Sequence, residues 1–167
     1  TEIYTLSLHD ALPISHHVAG RLARMDWITV DQITDSQRED LLALYRSAWW
    51  ATNRSAADVD EMLDGSDLVV GLVDSDTNRL LGFCRAITDG RFVAVILDVI
   101  THPDIRGSGG GRVVMEAMLS RPELARVDSI ELVCQPDLVD FYRQFGFTDQ
   151  VGGSRLMRRT DNPQLSS

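Results

Sequence analysis

The sequence predicts an α/β (α+β) fold in which helices flank a mixed, largely antiparallel central sheet. Three observations support this prediction. Apolar residues between positions 68 and 101 form three strand-like runs separated by short polar turns. The segments before and after that region repeat their apolar residues at helical spacing. The 167 residues, 44% of them hydrophobic, are enough for one substantial core, and no internal repeat indicates a second domain.

The first elements are predicted to be a short strand and two helices. The strand covers residues 27–30. Ser36 is expected to cap the first helix, because apolar residues then recur at helical spacing at Leu41, Leu42, Leu44, Tyr45 and Ala48. The pattern Ser55-x-x-Asp58 resembles a capping box, so a second helix is expected to begin there and to end at Gly65.

Three strands are predicted next. Residues 68–73 and 80–87 form the two arms of a hairpin around a polar turn. The turn signal Asp89-Gly90 leads into residues 92–101, the longest and most apolar strand, which is expected at the centre of the sheet.

The C-terminal part is predicted to alternate helix and strand. A helix covers residues 113–119, a strand covers 128–134, and the last helix is bracketed by Pro136 and Gly146. Residues 154–158 are expected to add a closing strand. The predicted fold then has four helices around the sheet.

The domain is expected to cover residues 25–160, followed by a frayed tail over 161–167. Residues 1–15 show no periodicity and look like one reading frame of a common sequencing adapter, so residues 1–24 are interpreted as a non-native extension. The alternative is a genuine N-terminal extension that packs on the core. On the first interpretation His102 is the one histidine in the domain, which disfavours a Ser-His-Asp or Cys-His catalytic device.

Charge and composition narrow the classes of partner. A formal net charge of −9 disfavours nucleic acid and anionic membrane, and it is compatible with a cationic amine substrate. No long apolar run indicates a membrane span or a secretory segment, so a cytoplasmic location is expected. Cys84 and Cys134 lie in separate apolar runs, which predicts reduced thiols and no metal site.

The most informative motif is the glycine tract Arg106-Gly107-Ser108-Gly109-Gly110-Gly111-Arg112, between a strand and a helix. Unpaired N–H groups and a positive dipole end at a helix N-terminus suit a pyrophosphate, and the two arginines favour that interpretation over a glycine turn without a ligand. A P-loop is excluded because the chain contains no lysine, and a dinucleotide fingerprint starting at Gly107 fails because Arg112 occupies the place of its third glycine.

Two motifs together make the chain resemble the GCN5-related N-acetyltransferases (GNAT family). Arg106-x-x-Gly109-x-Gly111, preceded by a strand and His102-Pro103, matches the acetyl-CoA pyrophosphate motif, and the stretch 141–147 (FYRQFGF) matches the second signature. Residues 82–89 and 97–99 further resemble a subgroup that includes plant arylalkylamine (serotonin) acetyltransferases. The chain departs from the family at Thr101, at Ile105 and at Gly110, and a third consecutive glycine is expected to loosen the helix start.

This resemblance implies an acetyl-CoA-dependent N-acetyltransferase that transfers the acetyl group directly to an amine within a ternary complex. The residues it implies for acetyl-CoA are Val99, Ile100, Thr101, Arg106, Gly107, Ser108, Gly109, Gly110, Gly111 and Arg112. Backbone N–H groups near Ile100 and Thr101 would stabilise the oxyanion if the strand splays there, as it does in the family. The acceptor would be a small-molecule or peptide amine, and family members often form homodimers. The alternative function is a catalytically weak acyl-CoA-binding module.

Two residues are candidates for proton transfer. The resemblance implies that Tyr142 is the acid for the leaving thiolate, and ordinary pKa values of about 10 for a phenol and about 8.5 for a thiol make that transfer nearly balanced. The alternative is a core aromatic. Asp98 interrupts an apolar strand, so it is a candidate base if burial raises its pKa; the alternative is a structural aspartate that satisfies backbone donors or Arg85.

The acceptor is expected at the junction of the first two helices, where this family closes over its substrate. Trp49, Trp50 and Arg54 lie there, and Arg85 is grouped with them. Paired tryptophans suit an aromatic or cationic amine. Core packing is the alternative for one of the two, because adjacent helical residues cannot both face inward.

Overall fold

The computed structural model describes residues 26–162 and 165, and within them five strands form one sheet in the order β1-β2-β3-β4-β5. The strands are Trp27–Val30 (β1), Leu68–Asp74 (β2), Leu80–Thr88 (β3), Val93–Thr101 (β4) and Ser129–Glu131 (β5). The α-helices in the same residues are Asp35–Arg46 (α1), Ala56–Asp64 (α2), Gly110–Leu119 (α3) and Val139–Arg143 (α4). All strand pairs are antiparallel except β4 with β5. The predicted α/β class with a largely antiparallel sheet is confirmed.

Helices cover both faces of the sheet, so the core has two parts. On one face α1 and α2 bury a cluster that includes Leu41, Val59 and Phe83, and on the other α3 buries a cluster that includes Met115 and Met118. Strand β3 is the middle strand. The prediction that the strand at 92–101 is central was wrong, because β4 has only the short β5 beyond it.

The helix starts show which capping prediction was correct. Helix α1 is capped by Thr34 and not by Ser36, because Gln37 lies three residues after Thr34 and its side-chain oxygen accepts from the Thr34 N–H at 3.0 Å. The Ser55 capping box is confirmed: Asp58 accepts from the Ser55 N–H at 2.7 Å, and the Ser55 hydroxyl accepts from the Asp58 N–H at 3.2 Å.

A bulge interrupts β4 where it passes β3. Phe83 pairs with Ile100 and Arg85 pairs with Leu97, so β4 uses one residue more than β3 between these two pairs. Asp98 lies within the bulge and has a φ of 56°, the left-handed region that aspartate tolerates better than most residues. The bulge turns the Asp98 side chain towards the α1–α2 face, where it meets Tyr45.

The C-terminal elements are shorter than the sequence predicts. Strand β5 covers three residues of the expected 128–134, and α4 is a short helix after a 3₁₀ turn at Pro136–Leu138. The expected strand at 154–158 is absent from the described residues, and 151–159 are exposed. A strand needs a ladder partner, and the three-residue β5 provides too short an edge to pair with this segment.

The remaining sequence predictions concern the termini and the membrane. The proposed extension over 1–24 and the start at Met25 lie outside the described residues, as does most of the tail over 161–167. In the described part of the chain, no helix has both the length and the apolar character that a membrane crossing requires.

Candidate active site

The glycine tract forms the N-terminus of α3, immediately after β4 and a 3₁₀ turn. Gly107 and Gly109 have φ values of 76° and 93°, which only glycine adopts readily. A Cβ atom at either position would meet no atom within 4 Å. At the start of this helix, the backbone N–H groups of Gly109, Gly110, Gly111 and Arg112 have no hydrogen-bond partner among the described residues. The helix therefore begins with open space beside its unpaired donors and its positive dipole end.

Gly110 lies in a closely packed position. It is buried, and a Cβ atom there would lie 2.6 Å from Ile105 Cδ1 and 3.3 Å from Leu72 Cδ2. Ile105 is 1% exposed, so its side chain occupies the volume that a larger residue at position 110 would need. The two family departures at Ile105 and Gly110 are therefore complementary, and this packing opposes a loose helix start, which stays a prediction.

The two arginines of the tract have different surroundings. Arg106 is exposed and has no ion pair or hydrogen bond from its side chain among the residues described. The Arg112 guanidinium lies towards α4: it is 3.3 Å from Glu116 Oε1, donates to Gln144 Oε1 and lies 5.4 Å from the Phe145 ring centroid. Arg112 is thus already engaged, whereas Arg106 is available to a ligand.

Strands β4 and β5 separate beside the tract. Their ladder ends at the pair Val95 and Glu131, whereas β4 continues to Thr101. Val99, Ile100 and Thr101 therefore lie on a stretch of β4 that β5 does not reach, and β3 pairs with Ile100 and Thr101 from the other side. This unpaired edge of β4 is the place where the splay is expected, and the splay itself stays a prediction.

Tyr142 on α4 belongs to the core cluster against which Val99 of β4 packs. Its neighbour Phe141 lies beside the start of α3, where its ring would be 3.4 Å from a Cβ on Gly111. Tyr142 is 7% exposed, and its hydroxyl has no hydrogen-bond partner among the described residues. Burial, together with the nearby Cys134 and Cys84, raises the pKa of Tyr142 to about 12. The phenol is therefore protonated at neutral pH, and its proton transfer to a thiolate is less balanced than the sequence suggested.

Asp98 lies at the centre of a buried polar cluster with Tyr45, Arg54 and Arg85. Its side chain is 6% exposed and accepts from Arg54 Nη1 and Nη2, both at 2.9 Å, from Arg85 Nε at 2.6 Å and from the Tyr45 hydroxyl at 3.1 Å. Burial alone would raise the pKa of Asp98, but the hydrogen bonds and charges of the two arginines outweigh it and lower the pKa. The expectation of a raised pKa was wrong, and the geometry matches the structural alternative.

The two tryptophans at the end of α1 have different environments. Trp50 is half-buried, lies edge-to-face with Tyr45 and has the Arg54 guanidinium 5.3 Å from its ring centroid. Trp49 is 51% exposed. As the sequence indicated, one of the pair packs inward and the other is free to contact a ligand.

Tyr45 is the residue that sequence reasoning missed. It was interpreted as one of the apolar residues of α1, and it is fully buried, yet its hydroxyl reaches Asp98. Burial, followed by the charge of Asp98, raises the pKa of Tyr45 well above its usual range, so the hydroxyl stays a donor. A tyrosine on an apolar helix face was the available signal, because a buried hydroxyl needs a partner.

The other chemically active side chains have structural contacts. His102 Nε2 lies 2.8 Å from Arg79 Nη2, and His102 Nδ1 lies 3.3 Å from Asp104 Oδ2, so neither ring nitrogen contacts a serine or cysteine nucleophile. Cys84 is buried, Cys134 is half-buried and both are free thiols. Among residues 26–162, no cluster of three or more His, Cys, Asp or Glu side chains is arranged to hold a metal ion.

Comparison with known proteins gives consistent results. Residues 30–147 match the model of the acetyltransferase (GNAT) family. The chain is 37% identical over 121 residues to the uncharacterised N-acetyltransferase ycf52 of Porphyra purpurea, which covers 71% of this chain and 68% of that protein. It is also 37% identical over 105 residues to the chloroplastic serotonin N-acetyltransferase 2 of Oryza sativa subsp. japonica, covering 59% of this chain and 52% of the rice protein.

Solved structures share the fold. A putative GNAT-family acetyltransferase from Xanthomonas campestris pv. campestris superposes with a TM-score of 0.71 at 26% identity, covering 85% of this chain and 97% of that one. The chain spans about half the length of the rice relative, so similarity to that protein extends only over this shared part.

Proposed function

The chain belongs to the acetyltransferase (GNAT) family, and on that basis we propose that it is an acetyl-CoA-dependent N-acetyltransferase acting on a primary amine. Transfer is direct, in a ternary complex of protein, acetyl-CoA and amine. The acceptor is a small molecule or a peptide amine. The cytoplasmic location and the homodimer expected from the sequence stay predictions, and the rice relative is described as chloroplastic.

The start of α3 is the observation that carries this proposal. Four unpaired N–H groups and a positive helix end suit a pyrophosphate, and the open space at Gly107 and Gly109 lets phosphate oxygens approach the backbone. The exposed, unpaired Arg106 adds a guanidinium suited to phosphate oxygens. We assign pyrophosphate binding to residues 106–111, with Arg112 contributing its backbone N–H and not its side chain.

The opening between β4 and β5 is the place for the thioester. Acetyl-CoA supplies the activated acetyl group there. The backbone of Val99, Ile100 and Thr101 lies along the opening, and an N–H group from this stretch would stabilise negative charge as it develops on the carbonyl oxygen. A preformed backbone donor needs no reorganisation during the reaction, because the β3–β4 ladder already holds this stretch in place.

Tyr142 acts as a hydrogen-bond donor to the departing sulfur. Its pKa of about 12 lies roughly 3.5 units above that of an ordinary thiol, so full proton transfer from the phenol to the thiolate costs about 5 kcal/mol. A hydrogen bond from the neutral phenol avoids most of that cost and still stabilises the thiolate. The proton released by the amine balances the reaction, leaving an amide and a free thiol.

Asp98 is proposed as a positioning residue, not as the base. A carboxylate that accepts four hydrogen bonds and has a lowered pKa is a weak proton acceptor at neutral pH. Its contacts tie Arg54, at the junction of α1 and α2, to the bulge of β4. Asp98 therefore fixes the relative positions of the acceptor side and the strand that borders the opening.

The proposal is tested by measuring thiol release from acetyl-CoA with a panel of amines, peptides and aminoglycosides, with the acetylated product identified by mass. We expect transfer by the parent protein and a loss of about 10- to 100-fold in Tyr142→Phe, with CoA affinity unchanged. Arg143→Gln is the matched control, because Arg143 is on the same helix as Tyr142 and pairs with the exposed side chains of Asp140 and Asp149. Binding of CoA without acetylation of any acceptor would instead support the acyl-CoA-binding module.

A further inference from the structure

The cluster around Asp98 carries an excess of positive charge. Arg54 and Arg85 share this single carboxylate, and neither forms an ion pair with another acid in the described part of the chain. Asp58 is close enough to Arg54 to be affected by its charge, but Asp58 is fully exposed and serves the Ser55 cap. Solvent screens that charge, whereas the contacts to Asp98 are buried.

Most of the acceptor capacity of Asp98 is already used by protein donors. Asp98 Oδ1 accepts one hydrogen bond, from Arg54 Nη2. Asp98 Oδ2 accepts three, from Arg54 Nη1, Arg85 Nε and the Tyr45 hydroxyl. The oxygen that accepts three hydrogen bonds has no room for an ammonium, and the other oxygen has one acceptor position left. The two guanidinium groups, in contrast, use fewer than half of their N–H groups on protein partners, so they can still bind an anion.

The Arg85 side chain is 14% exposed, so Arg54 is the more accessible of the two arginines. The Arg54 side chain is 28% exposed and stacks over Tyr45 at 4.3 Å, which holds the guanidinium plane in a fixed orientation. Trp50 lies on the same side, and the exposed Trp49 is next to it in the chain. The junction of α1 and α2 thus combines an oriented cation with an exposed aromatic surface.

We propose that the acceptor of this acetyltransferase is an amine that carries a carboxylate, and that Arg54 and Arg85 bind the carboxylate. This inference rests on the proposed function and narrows it. The proposed acceptor differs from the cationic amine that the net charge favours. Net charge describes the whole surface, whereas the acceptor would contact a local excess of guanidinium groups. A carboxylate-bearing acceptor also separates this chain from the arylalkylamine specificity that the subgroup resemblance suggests, since arylalkylamines have no carboxylate.

The test compares acceptors that differ only in the carboxylate. Tryptophan is paired with tryptamine, and lysine with cadaverine, each at the same pH and acetyl-CoA concentration; phosphoethanolamine with ethanolamine shows whether phosphate serves as well. We expect the parent kcat/KM to be about tenfold or more higher for the carboxylate-bearing member, the size of one charge-assisted hydrogen bond.

Variants assign the preference to the two arginines. Arg54→Gln and Arg85→Gln are each expected to reduce the tryptophan-to-tryptamine ratio at least fivefold. Arg91→Gln, which removes an exposed arginine paired with Asp128, is expected to keep the parent ratio. Thermal unfolding of each variant identifies any that fails to fold, and the ratio in the parent protein tests the proposal without any variant.

The possible outcomes separate this inference from the proposed function. Acetylation of tryptamine as fast as tryptophan, or a parent ratio in both arginine variants, overturns the carboxylate assignment while the acetyltransferase stands. If no amine in the panel is acetylated although CoA binds, the proposed function fails and the acceptor assignment fails with it.

Discussion

Adding one methyl group to Gly110 or to Gly111 is predicted to have opposite effects on stability. Both residues lie in the first turn of α3, and both would gain helix propensity from alanine, worth up to about 1 kcal/mol. At Gly111 the new Cβ would lie 3.4 Å from Phe141 Cζ, an ordinary contact. At Gly110 it would lie 2.6 Å from Ile105 Cδ1.

The magnitude follows from that distance. Carbon atoms in contact lie about 3.5–4 Å apart, so Ile105 or the helix must move by about 1 Å. Ile105 is 1% exposed and surrounded by core, and overpacking of this kind costs about 1–3 kcal/mol. After the gain in propensity, Gly110→Ala should be destabilised by about 1–2 kcal/mol and Gly111→Ala unchanged or stabilised by up to about 1 kcal/mol.

Urea unfolding followed by circular dichroism measures both variants. A double variant identifies the cause: Ile105→Val removes the clashing Cδ1 atom and alone costs about 1 kcal/mol. With Gly110→Ala it should cost about 1 kcal/mol less than the sum of the two single changes. Equal stability of the two alanine variants, or simple additivity in the double variant, would refute the packing argument.

The remaining predictions concern the site. Asp98→Asn preserves the shape of the side chain and is compatible with the left-handed backbone. It should lower the free energy of unfolding by about 3 kcal/mol at pH 7, because Arg54 and Arg85 lose the negative charge with which they pair. The pKa of Asp98 is lowered in the folded protein, so the difference in unfolding free energy between parent and variant should be largest above about pH 4 and should shrink as the pH falls further. A difference that stays constant down to pH 2 would contradict this prediction. Gly109→Ala places an L-residue at a φ of 93°, and this strain alone should lower the free energy of unfolding by about 1–2 kcal/mol. Calorimetric titration should also show weaker CoA binding. For Tyr142, whose pKa is about 12, kcat/KM should rise towards the pKa of the amine without a falling limb below pH 11, in parallel curves for the parent and Tyr142→Phe.

Local patterns in the sequence predict most of the fold. The hairpin of β2 and β3, the capping box at Ser55 and the glycine tract before α3 depend on residues close together in the chain, and all three are found. The errors come from non-local effects. The segment 154–158 has strand-like composition but no ladder partner, and β4 is not central because the order of strands depends on which edges remain free.

The candidate site divides in the same way. The unpaired donors of α3 could be predicted because a helix start always leaves its first N–H groups unpaired. The pKa of Asp98 could not, since it depends on whether burial or the two arginines dominate, and Arg54 lies 44 residues away in sequence. The hydrogen bond of the Tyr45 hydroxyl to Asp98 likewise joins a helix to a strand, and the packing of Ile105 on Gly110 joins a turn to a helix. Contacts of this kind are set by the folded structure and not by local sequence.

The most direct test of the account is an NMR titration of the ¹⁵N-labelled protein with CoA. The account predicts that the largest amide shifts, saturating with one CoA per chain, occur at the four unpaired donors of α3: Gly109, Gly110, Gly111 and Arg112. The first turn of α2, whose N-terminus is capped by Ser55, is the internal control and should not shift. Saturable binding that leaves the α3 amides unperturbed would contradict the claim that this helix start binds the pyrophosphate.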